Sequence, residues 1–103
     1  MISVKVTYTV NPAFVQKNKE NINVFMADFK NLDNNEFRYT VYLSGDGKTF
    51  VHLSHYNNES IQKQLLDVPS FKAFQQQRDE SGLEGLPHIE VLQQVATSWE
   101  IIN

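Results

Sequence analysis

Residues Phe37 to Tyr56, FRYTVYLSGDGKTFVHLSHY, decide how this chain folds. Phe37, Tyr39, Val41 and Leu43 alternate with Arg38, Thr40, Tyr42 and Ser44. Beyond the glycines, Thr49, Val51 and Leu53 alternate with Phe50, His52, Ser54 and Tyr56. A period of two on both sides of a Gly-rich tip is the pattern of a β-hairpin. The tip Ser44-Gly45-Asp46-Gly47-Lys48 suits a three-residue loop with Gly47 in the left-handed conformation of a bulged type I turn. That loop pairs Ser44 with Lys48 and Val41 with Val51. Tyr39, Val41, Val51 and Leu53 then share an apolar face, and Arg38, Thr40, Tyr42, Phe50, His52, Ser54 and Tyr56 form a second, mixed face. A two-residue loop at Asp46-Gly47 would slip the pairing by one and set Val41 against His52. The three-residue loop gives the cleaner core face and is the register expected.

Upstream, Ile2, Val4, Val6, Tyr8 and Val10 alternate with Ser3, Lys5, Thr7 and Thr9, which reads as a half-buried strand. Asn11-Pro12 ends it and suits a helix start, with Asn11 as N-cap and Pro12 at the first helical position. Phe14, Val15, Ile22, Phe25, Met26 and Phe29 then recur at helical spacing over about five turns. The stretch NLDNN, 31–35, stops that helix.

Downstream, Asn57-Asn58 can cap a second helical region whose buried face is Ile61, Leu65, Leu66, Val68, Phe71 and Phe74. Pro69 splits it into two short helices, Glu59 to Leu66 and Pro69 to Asp79. SGLEGLP, 81–87, is a loop. His88 to Thr97 alternates again as a last strand, followed by an extended tail from Ser98 to Asn103 with Trp99, Ile101 and Ile102. The order strand, helix, strand, strand, helix, strand is the α+β, ferredoxin-like βαββαβ arrangement, a four-stranded antiparallel sheet with its helices on one face.

At 103 residues this is a single domain, residues 1–103, able to bury roughly 60–70% of its unfolded surface around one core. Hydrophobic residues at 41% and charged residues at 20% are ordinary for a globular chain, and no apolar run approaches the roughly 20 residues of a membrane helix. The alternating amino terminus, with no basic start, reads as a strand and not a signal peptide, so a cytoplasmic location is expected. The chain has no cysteine, which excludes disulfides, thiolate metal sites and redox thiol chemistry. A net charge of -3 with nine scattered Lys and Arg argues against nucleic acid as a partner.

Helices on one side leave the mixed face of the sheet uncovered. A patch carrying Tyr42, Phe50 and Tyr56 is too apolar to face water, and a two-fold homodimer with sheets packed face to face is the economical cover. The Trp99 tail could cross to the partner and anchor it.

In element order, and in Thr49-Phe50-Val51-His52-Leu53 and Pro69-Ser70-Phe71-Lys72-Ala73-Phe74, the chain resembles the dimeric α/β-barrel superfamily, in its antibiotic-biosynthesis-monooxygenase-like branch. The resemblance implies a dimeric barrel. It also admits several functions: cofactor-free quinone-forming oxygenases, haem-degrading enzymes, muconolactone isomerases and stress-responsive barrels share the fold, which alone does not select among them. A haem role needs an axial histidine on a helix or loop beside the pocket, and neither predicted helix region contains one. No cofactor is therefore expected.

On the mixed face, His52 is the candidate general base, Arg38 and Tyr42 are its polar partners, and Phe50, Tyr56, Thr40 and Ser54 line a pocket for a small, flat, acidic or phenolic molecule. The plain alternative for His52 is a hydrogen-bonded interface histidine. His52 and His55 are three apart on a strand and cannot share a metal ion. No phosphate loop, serine elbow or paired-carboxylate motif is present. Two functions follow. One is a cofactor-independent oxygenase or isomerase, with a cavity at His52. The other is a non-enzymatic homodimer that binds a ligand or a protein, with those side chains filling the interface.

Overall fold

The computed structural model describes residues 1–102. Strand β1 (Ile2–Thr9) leads through a 3-10 turn at Pro12–Phe14 into helix α1 (Val15–Asn31). Strands β2 (Phe37–Leu43) and β3 (Thr49–Tyr56) form the hairpin, helices α2 (Glu59–Leu66) and α3 (Pro69–Gln77) follow, and strand β4 (His88–Leu92) completes the sheet. The strand order is β2-β3-β1-β4, with every neighbouring pair antiparallel. This is the expected ferredoxin-like α+β sheet. The Asn58 side chain accepts from the Ile61 amide at 3.0 Å and starts α2 as its sequence suggests. At the first helix Asn11 makes no such side-chain cap, and the turn begins on Pro12 instead. The last strand ends at Leu92, five residues short of the expected Thr97, and Trp99 is exposed in an irregular tail. Asn103, the end of the expected tail, lies outside the described residues.

The hairpin register differs from the one expected. Val41 lies opposite His52, Leu43 opposite Phe50 and Tyr39 opposite Ser54. Gly47 is left-handed, at φ 76°, but the loop holds four residues, since the Ser44 amide donates to the Thr49 carbonyl at 2.8 Å. Asp46 is the cause at the tip. Its Oδ1 accepts from the amides of Lys48 at 2.9 Å and Thr49 at 2.8 Å, which draws Lys48 into the turn.

Burial is the cause along the strand. β3 is central, and its pairing with β1 sets Phe50 beside Tyr8 and Tyr56 beside Ile2. This register turns Phe50 and Tyr56 under the helices and Thr49, Val51 and Leu53 outward. An aromatic ring buries about 150–250 Å², more apolar area than a Val or Leu side chain, and burial stabilises in proportion to area, so the two rings decide the slip.

The core lies between the sheet and α1 and α3. Ile22, Phe25 and Phe29 of α1 meet Phe71 and Phe74 of α3 above Tyr8, Phe50 and Tyr56. The Phe25 ring packs edge-on against Phe71 at 5.0 Å, Phe74 at 4.9 Å and Tyr39 at 5.7 Å.

Candidate functional site

The seven residues expected to share a pocket are divided by the sheet. Phe50, His52, Ser54 and Tyr56 point under the helices and are buried. Arg38, Thr40 and Tyr42 stand on the opposite face, where Arg38 and Tyr42 are exposed. The expectation of one face is corrected by the register, because sliding β3 by one residue exchanges its two sides while β2 keeps its own.

Four side chains from four elements gather around His52 in the interior, two of them bonded to it directly. Tyr8 comes from β1, two residues along from Val6, which lies opposite His52, so the two are diagonal neighbours on one face, and its hydroxyl lies 2.7 Å from Nε2. Tyr39 of β2 lies 2.7 Å from Nδ1 through its own hydroxyl. Asn18 of α1, fully buried, donates from Nδ2 to the Tyr8 oxygen at 3.0 Å. Arg78 begins a π-helical turn at Arg78–Gly82 that continues α3, and its guanidinium carbon stands 4.9 Å from the centre of the Tyr8 ring and 5.3 Å from that of Phe74. The charge of Arg78 is met by its neighbour Asp79, at 3.0 Å.

The direction of this chain of hydrogen bonds follows from its donors. Asn18 donates to the Tyr8 oxygen and the Arg78 cation stands beside it, so the Tyr8 proton is left to donate to His52 Nε2. A neutral imidazole that accepts at Nε2 carries its proton on Nδ1 and donates it to Tyr39. The Tyr39 proton remains for another acceptor. Asn18 Oδ1, buried, has no hydrogen-bond partner among the described residues.

The electrostatics keep every member neutral. Burial, with Arg78 adding to it, holds His52 down to about 3, so the ring is uncharged at neutral pH. Burial also pushes the Tyr8 hydroxyl up to about 12, against the lowering pull of Asn18 and Arg78. Tyr39 is raised by burial and by the neighbouring tyrosines, and Tyr56 by burial. An imidazole bonded in this way can take a proton at Nε2 as it releases one from Nδ1, which is the geometry of a relay between two hydroxyls.

A cavity of about 570 Å³ opens at the end of α1 and the start of β2, lined by Phe29, Phe37, Tyr39, Lys30, Arg38 and Asp33 among others. Tyr39 connects it to the relay. His52 itself, 2% exposed, lines none of the cavities described here. Among the described residues no group of His, Asp and Glu has metal-binding geometry.

Sequence reading missed Asn18, Arg78, Tyr8 and Tyr39 as functional groups. Two of them carried a signal. Asn18 falls four residues before Ile22 on the apolar stripe of α1, and Arg78 falls four after Phe74 on that of α3. A polar residue at a core position of an amphipathic helix has a buried partner to find. Tyr8 and Tyr39 gave none, because a strand tyrosine facing the core reads as an apolar ring.

No protein-family model and no curated protein sequence matches the chain. Its shape does have close counterparts. An antibiotic biosynthesis monooxygenase superposes with a TM-score of 0.78 at 8% identity, covering 93% of this chain and 100% of its own. Rv0793 from Mycobacterium tuberculosis gives 0.78 at 16% identity, over 95% of this chain and 98% of that one. SnoaB, a cofactor-independent oxygenase from Streptomyces nogalater, gives 0.72 at 15%, over 96% and 97%. Identities this low speak for backbone arrangement and not for chemistry. The chain therefore has the ferredoxin-like α+β fold of the antibiotic biosynthesis monooxygenase domains.

Proposed function

We propose that this protein is a cofactor-independent, monooxygenase-like enzyme acting on a small, flat phenolic molecule held between the sheet and the helices. The observation that carries the reading is the Asn18–Tyr8–His52–Tyr39 chain, a continuous line of hydrogen bonds in an otherwise aromatic interior. Such a line is costly to build for stability alone, since each buried polar group must be satisfied by another. Its chemical use is proton movement. A phenol that gives up its hydroxyl proton becomes electron-rich enough for dioxygen to add at a ring carbon. The hydroperoxide then loses water and leaves a quinone, so phenol plus dioxygen balances quinone plus water.

The phenol proton leaves to water, the relay runs toward Tyr39 and presents that hydroxyl to the phenolate oxygen, and the phenylalanines beside His52 keep water from the line. Phe50 and Tyr56 serve as buried walls. Of the outward residues, Arg38 lines the cavity at Tyr39 and keeps a part in binding, while Thr40 and Tyr42 belong to the contact with a second copy of the chain.

Oxygen uptake and quinone absorbance with a panel of naphthols and anthrols, with chelator present and no added flavin, test this. Turnover that falls at least about a hundredfold in His52→Gln, with an unchanged circular dichroism spectrum, is the expected result. No turnover in the wild type overturns it. The second reading is a non-enzymatic homodimer that binds a small ligand or a protein. It is favoured by the close packing around His52 and would be supported by ligand or partner binding without oxygen consumption.

A further inference from the structure

We propose that the ligand site is the cavity of about 570 Å³ beside Tyr39, and that it takes an aromatic acid whose oxygen accepts the Tyr39 hydroxyl proton. This inference rests on the reading of the protein as a small-molecule enzyme and adds the place and the ligand class. Three observations converge on it.

The volume lies within the roughly 300–1,000 Å³ of small-molecule sites. Of the relay's members, Tyr39 alone lines the cavity; Asn18, Tyr8 and His52 do not. The direction of the hydrogen bonds, set at the far end by the Asn18 amide, leaves Tyr39 accepting from His52 Nδ1 with its own proton unspent. A hydroxyl in that state is a donor waiting for an oxygen.

The remaining walls define the class. Phe29 and Phe37 stand edge to face with ring centres 6.2 Å apart, and Phe29 meets Tyr39 at 5.2 Å, so the floor offers aromatic faces and edges to a planar ring. Lys30 and Arg38 against Asp33 leave the lining one positive charge in excess. Among the described residues neither Lys30 nor Arg38 has a salt-bridge partner. A carboxylate at the rim would supply the missing counter-charge.

Titration with 4-hydroxybenzoate, followed by amide NMR, tests the site, with 4-hydroxybenzamide as the uncharged comparator. Saturable shifts at Lys30, Phe37, Arg38 and Tyr39 are expected. So is weaker binding, about tenfold, in Tyr39→Phe, the worth of one hydrogen bond. Lys30→Gln is expected to erase the preference for the acid over the amide. Shifts confined to other surfaces, no saturable shift, or an unchanged affinity in Tyr39→Phe overturn the inference. Oxygen uptake separates the two readings. Binding at these residues without turnover supports the site and overturns only the oxygenase. Turnover that survives in Tyr39→Phe overturns only the site.

Discussion

Tyr8 and His52 hold each other in the core: the Tyr8 hydroxyl lies 2.7 Å from His52 Nε2, and both residues are 2% exposed. Neither would be stable at that depth alone. Removing the hydroxyl in Tyr8→Phe leaves the His52 ring nitrogen and the Asn18 amide without their shared partner. An orphaned buried polar group costs about 1–3 kcal/mol, so with two of them the variant loses about 2–6 kcal/mol although the ring it keeps still packs on Phe50. The urea midpoint, at constant slope, measures it.

Stability should fall with acid well above the carboxylate range. His52 is held from 6.5 down to about 3 in the folded chain, so between those values the unfolded chain binds one proton more than the folded one. The sign is that of a depressed pKa. The contribution of His52 is fully present above pH 6.5 and is lost as pH falls toward 3, at about 1.4 kcal/mol per pH unit. His55, lowered by burial and by Arg38, adds in the same direction. Denaturation from pH 7 to 4.5 should show this slope in the wild type and most of it gone in His52→Gln. A flat wild-type profile would exclude a buried neutral histidine.

The two hairpin registers differ in which strand positions hold the core. Phe50→Ala should cost about 3–5 kcal/mol, because Phe50 is buried on Tyr8. Val51→Thr, on the outer face, should stay within about 1 kcal/mol in dilute solution. The three-residue loop would reverse that order, so thermal or urea unfolding of the pair separates them.

Gly82 is the tightest glycine. A methyl group there would stand 2.5 Å from Phe14 Cδ2, and the Gly82 carbonyl accepts from the Asn11 amide at 2.7 Å, so the backbone cannot retreat. Gly82→Ala is expected to cost about 1–3 kcal/mol. Gly85→Ala meets nothing within 4 Å and serves as the control in the same melting experiment.

The outer face predicts self-association. Tyr42, opposite Val51 on that face, is 56% exposed, and Trp99 in the tail is 81% exposed. Sedimentation should give twice the 11.9 kDa chain mass, and Tyr42→Glu with Val51→Lys should return the single-chain value. The one tryptophan, Trp99, reports the same event by a blue shift of its emission on dimer formation.

The order of elements, the sheet with helices on one side, the split at Pro69 and the cap at Asn58 were all determined by the sequence, because each depends on residues within a few positions of one another. A period of two or 3.6, a proline or an Asx cap acts locally. The side of the sheet that His52 faces was decided only by the tertiary structure. β3 alternates convincingly either way, with Val51 and Leu53 on one side and Phe50 and Tyr56 on the other. The choice came from β1, more than forty positions away, and from the greater area of two aromatic rings. The relay had the same origin. Asn18, Tyr8, His52, Tyr39 and Arg78 are scattered along the chain and meet only because three strands and two helices close over one core.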